Sequence, residues 1–151
     1  MRSSGLHSFA SIRLISPLTW LAGVLILLSF PNAFAQSSDF SAFWKKFRSA
    51  VIAGEKATVA EMTKFPLSMP YGVKAVKNEE DFLRRYNEIF KGEANAAQCF
   101  AKVEPQKEGG RYEVYCPFKD TPNDMENAPI RFIFELTKSG WKFACLDNVN
   151  E

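Results

Sequence analysis

Chemistry in this chain has to come from a short set of side chains. Its one histidine is His7, near the N-terminus. Without histidine in the rest of the chain, Ser-His and Cys-His activation, imidazole bases and nearly every catalytic zinc site are excluded there. Thiols, tyrosines, lysines and carboxylates remain. Tyr112 and Asp147 are the strongly polar residues whose strand parity aims them at an otherwise apolar face. As a pair, a tyrosine and a carboxylate could donate to and take protons from an enolisable ligand. In a simple meander, however, they stand at opposite ends of the sheet. A tyrosine bonded to a carbonyl and a strand-end aspartate in solvent account for the same two residues.

Two loops offer further candidates. "MPYGV" places Tyr71 on a turn shaped by proline and glycine, where it serves as a pocket rim or simply anchors the turn. "KDTPNDMENAP" groups Asp120, Asp124 and Glu126, but the spacing is no calcium loop and the central glycine is missing. A solvated connection is the simpler reading, and no metal is expected. There is no Gly-rich phosphate loop, so no nucleotide cofactor is expected either. Arg84, Arg85 and Lys91 are interleaved with Glu79, Glu80, Asp81 and Glu88, as on an ordinary solvated helix face.

The cysteines depend on register. "QCFAKVEPQKEGGRYEVYCPF" reads as two alternating runs around a turn. A four-residue loop, Gln106 to Gly109, sets Cys99 opposite Cys116 at disulfide distance. A two-residue Gly109-Gly110 turn leaves the pair four residues out of register. Cys145 lies two strands from Cys116 in a meander. The expected bridge is Cys99–Cys116, with a bond involving Cys145 or buried free thiols as the alternatives. A reactive redox pair is disfavoured, since there is no Cys-x-x-Cys spacing.

Residues 1–35 have the pattern of a cleaved secretory signal. Arg2 and Arg13 precede the apolar run Leu18 to Phe30, which is short for a membrane span, and Pro31 and Ala33-Phe34-Ala35 follow. A domain of residues 36–151 is expected in the periplasm or outside the cell, where disulfides form. The sequence holds 19 Lys and Arg against 17 Asp and Glu. Cleavage would remove Arg2 and Arg13 and leave the charges balanced. Nucleic acid and anionic membrane are therefore not expected partners.

The elements that would position these residues follow from periodicity. Phe40, Phe43, Trp44, Phe47 and Val51 form a helical stripe, capped by Ser38 or Asp39 and ended by Gly54. A second helix fits Glu55 to Lys64, stopped by Pro66. The stretch 65–76 reads as a loop with short extended pieces. Asn78 caps a third helix, whose buried stripe is Phe82, Leu83, Tyr86, Ile89 and Phe90, with Gly92 closing it. From Ala97 the period becomes two, which predicts strands at 98–105, 110–119, 130–137 and 141–148. Trp141, Phe143 and Cys145 are expected on one face. The fold class is α+β: three N-terminal helices packed on a curved, four-stranded antiparallel sheet with a short extra strand.

That order, with "FWKKFRSAVIAGEKATVAEMTKFPLSM" running into "NEEDFLRRYNEIF" and then a bent sheet, resembles the nuclear transport factor 2-like superfamily. The superfamily includes ketosteroid isomerases, polyketide cyclases and dehydratases. The resemblance implies a cone-like fold whose mouth holds a small molecule or lies in a dimer contact, so a homodimer is among the implied assemblies. No catalytic motif is matched, and no active-site residue is carried over. The expected function is an exported, non-catalytic binding module for a small apolar ligand in the cone or for a protein at the sheet. Tyr71, Tyr112 and Asp147 are its candidate binding residues. Two alternatives stand: an isomerase or dehydratase using Asp147 inside the cone, and an inhibitor or immunity-type protein acting through loop 120–129.

Overall fold

A computed structural model describes residues 39–70 and 75–150 of the chain. The signal-like segment and Tyr71 lie outside the described residues. Among those described, the order is α1 (Phe40–Ala53), α2 (Lys56–Glu61), β1 (Thr63–Ser68), α3 (Glu79–Lys91), α4 (Ala96–Phe100), β2 (Gln106–Glu108), β3 (Arg111–Cys116), β4 (Ile130–Thr137) and β5 (Gly140–Asn148).

Local chemistry sets most boundaries. The Asp39 carboxylate accepts from Ser41 N at 2.9 Å at the start of α1. Gly54 ends α1 in the left-handed region, φ 72°, where glycine carries no Cβ penalty. Asn78 caps α3 through Asp81 N, and Glu79, Glu80 and Asp81 occupy its first turn, where the helix dipole favours anions. Helix α2 is shorter than its pattern suggests. The chain turns at Met62 directly into β1, and the Thr63 hydroxyl donates to Val59 O at 2.8 Å.

The sheet order is β1-β5-β4-β3-β2, with β1 parallel to β5 and the other pairs antiparallel. The expected antiparallel sheet is thus mixed, because the chain between β1 and β5 is long enough for a crossover. Strand β4 falls where its alternation predicts, and β3 and β5 within a few residues.

The strand expected at 98–105 is instead helix α4 followed by irregular chain. Asn95 accepts from Gln98 N at 3.2 Å and starts a five-residue helix. Only Gln106–Glu108 then pairs with β3, closing through Gly109-Gly110, with Glu108 opposite Arg111.

Strand β5 contains the second departure. Ile133 pairs with Cys145 while Phe134 pairs with Phe143, so Ala144 is an extra residue, a bulge. Parity reverses there. Phe143 and Leu146 join the core, whereas Cys145 and Asp147 turn to the opposite face.

The helix-covered face is packed with rings. Phe47 of α1 lies 5.1 Å from Phe134 and 5.7 Å from Phe143 between ring centroids. Phe90 of α3 and Phe100 of α4 reach Phe132 at 6.0 and 5.0 Å. These rings are all buried. The space in which a ligand was expected is occupied by side chains at the spacing of ordinary aromatic contacts.

Candidate functional site

Of the expected site residues, Tyr112 and Asp147 do not converge. Tyr112 lies on the helix-covered face, its ring stacked on Phe40 at 3.6 Å and 1° and edge-on to Trp141 at 5.3 Å. It is a packing residue at the start of α1. Asp147 is on the other face, against the expectation, because the Ala144 bulge reverses parity. There it is ion-paired with Arg131. A carboxylate so placed cannot serve a reaction on the helix-covered side.

That outer face carries a polar lattice. Across the strands run the rows Arg111–Glu135–Lys142, Glu113–Ile133–Cys145 and Tyr115–Arg131–Asp147. Glu113 is fully buried beneath its neighbours. It accepts from Arg111 Nε at 2.5 Å, the Tyr115 hydroxyl at 2.6 Å and Arg131 at 3.3 Å. Burial pushes the Glu113 carboxyl up, but the Tyr115 hydroxyl, Arg131 and Arg111 more than offset it and hold it below the usual carboxylate range. The hydrogen bond to Glu113 pushes the Tyr115 phenol up, with burial adding to it. Burial likewise pushes the Cys145 thiol up, which makes it a poor nucleophile.

Cys99 and Cys116 form a disulfide with Cα atoms 5.7 Å apart. Neither of the two registers considered produces it. The hairpin has the two-residue turn that would have left a strand-borne Cys99 out of register. The residue instead reaches β3 from helix α4. In the loop around 120–129, the Asp124 carboxylate accepts from Asn127 N at 3.1 Å, closing a turn. Among the described residues, no group of three or more Asp, Glu, Cys or His is placed to hold a metal ion.

The concavity with unsatisfied chemistry lies elsewhere, where α1 and α3 end beside α4. Val51, Ile52, Ala53 and Gly54 form one wall. Tyr86, Phe90 and Lys91 form the other, with Ala97 of α4 completing a groove of about 210 Å³. Gly54, in the left-handed region at the end of α1, is part of the lining. Tyr86 is 2% exposed, and its hydroxyl is buried without a hydrogen-bond partner. Burial pushes this phenol up, so it stays protonated and can donate. Leaving such a group unmatched costs about 1–3 kcal/mol. The Tyr86 ring packs 4.7 Å from Phe90 and carries the Lys56 ammonium 5.4 Å from its centroid. Ile52 at the rim is 48% exposed.

Periodicity places Tyr86 in the core and gives no hint of a groove. The available signal was a hydroxyl within a stripe otherwise made of Phe, Leu and Ile, which demands a partner when buried.

No family model and no curated protein matches the chain. Solved structures of similar fold do. One, from Shewanella frigidimarina, carries a provisional assignment as a ketosteroid isomerase. It is 10% identical at TM-score 0.41, over 74% of this chain and 94% of that one. An NTF2-like protein with a cystatin-like fold from Novosphingobium aromaticivorans is 12% identical at TM-score 0.38, over 76% and 81%. An NTF-2 like protein of unknown function from Shewanella oneidensis is 10% identical at TM-score 0.40, over 72% and 93%.

Proposed function

We propose that the chain is an exported, non-catalytic binding module that holds a small, largely apolar ligand in the groove between α1, α3 and α4. The carrying observation is the groove itself, about 210 Å³ with apolar walls from Val51, Ile52, Phe90 and Ala97 and the ring of Tyr86 among its lining residues. The volume lies below the usual range for drug-sized ligands, about 300–1,000 Å³, so the ligand is small. The Cys99–Cys116 disulfide supports an oxidising compartment, as the leader-like residues 1–35 do.

Electrostatics favour binding over catalysis. A general acid or base works best with a pKa near the working pH. Here the shifts run away from neutrality: Glu113, Asp81 and Glu88 down, and Tyr86, Tyr115, Cys145 and Arg131 up. Burial does lower the Lys142 ammonium, but that side chain is engaged with the Glu61 carbonyl at 2.7 Å.

The test uses the full chain made with its own leader and recovered from a bacterial periplasm. Native mass spectrometry should show cleavage after Ala35. Amide NMR with benzyl alcohol as probe should then move the signals of Val51, Ile52, Tyr86 and Ala97. A probe that leaves these four unmoved sinks the groove as a binding site, and an unprocessed chain retained in the cytoplasm sinks export.

A further inference from the structure

The groove's chemistry is asymmetric, and the asymmetry names a ligand class. Its walls are apolar, and its lining contains one cation and no acid. That cation is Lys91, exposed in the last turn of α3. A second cation, Lys56, sits on the Tyr86 ring. We infer that the groove takes a small carboxylate with a short apolar or aromatic body: the body between Val51 and Phe90, and the charge beside Lys91, the one charged residue of the lining. The inference rests on the reading of the groove as a ligand site.

The opposing consideration is the helix ends. Helices α1 and α3 both terminate at the groove, and their last carbonyls present partial negative charge. Capping weakens it, since Gly54 N donates to the Ala50 and Val51 carbonyls and Gly92 N to the Glu88 carbonyl. A cationic ligand would also have to displace or repel Lys56, which already occupies the ring face. A full charge at Lys91 outweighs partial charges of roughly half an electron each that have been capped.

Three probes of one shape separate the possibilities: phenylacetate, benzyl alcohol and phenethylamine. They are titrated against the processed chain in low salt, with NMR shifts at Ile52 and Ala97 as readout. Phenylacetate should bind about threefold more tightly than benzyl alcohol, the advantage of a solvent-exposed ion pair. Phenethylamine should bind most weakly, and the phenylacetate advantage should vanish near 1 M salt. Lys91→Gln should bring phenylacetate down to the affinity of benzyl alcohol, with an unchanged melting temperature showing that the fold survives.

Equal affinities for acid and alcohol, or tightest binding of the amine, would overturn the ligand class and leave the groove standing. If none of the three shifts the groove signals, the groove reading fails and the ligand class with it.

Discussion

At the scale of single residues, Tyr86 and Glu113 are opposite cases of one rule. Both bury polar atoms. Glu113 has three donors around its carboxylate, whereas the Tyr86 hydroxyl has none. Tyr86→Phe should therefore stabilise the ligand-free protein by about 1 kcal/mol, visible as a raised thermal midpoint. If the hydroxyl were already satisfied, the same change would lower it. Glu113→Gln should destabilise by about 1–3 kcal/mol, since Arg111 and Arg131 lose their shared counter-charge while Arg111 is half-exposed and Arg131 keeps Asp147. The sign of the pH dependence follows from the depressed carboxyl. The stabilisation is present above the unfolded-state pKa and is lost as pH falls through the folded-state value. Acid denaturation of the Gln variant should thus be shallower than that of the parent, measured by circular dichroism. Equal acid limbs would mean that Glu113 is no more strongly held than in the unfolded chain.

At the scale of elements, the register of β5 decides the most. An extra residue at Ala144 carries Leu146 into the core and Asp147 out to Arg131. Deleting Ala144 should restore plain alternation while keeping the pairs Phe134–Phe143 and Ile133–Cys145, so Leu146 stays in the core and Asp147 stays outside with Arg131. Cooperative unfolding should therefore survive, followed by circular dichroism. A deletion variant that loses it would mean that the register beyond the bulge depends on the extra residue.

Helix α4 makes a second case. Cys99→Ser with Cys116→Ser opens a link across 17 residues, and by loop closure alone should cost about 3 kcal/mol in chemical denaturation. The long amphipathic helices and β4 were legible in the sequence, because each offers more than two periods of its pattern. Helix α4 was not. Five residues give little more than one turn, and Cys99, Ala101 and Val103 mimic a strand's alternation. Asn95 as a cap was the available clue. The bulge leaves no local sign either, for Ala144 and Cys145 suit either face.

At the scale of the whole described domain, eleven phenylalanines beyond residue 35 promised a core, and the structure spends them on the helix-covered face. The proposed binding groove accordingly lies where helices end. Such a site is hard to read from sequence. Its walls come from three elements, and Tyr86 in its lining looks like a core tyrosine until the donor is counted. The disulfide was legible in outcome but not in mechanism, since Cys99 arrives from a helix. Filling the groove with Ala97→Phe should leave folding intact and weaken benzyl alcohol binding at least tenfold, measured by the same NMR titration. Undiminished binding would place the probe elsewhere.

The most direct measurement is a crystal structure of the processed chain soaked with benzyl alcohol. The ring should lie between Val51 and Phe90, beside Ala97. A groove holding only a water that ties Tyr86 to the backbone, with the probe bound at another surface, would contradict the assignment.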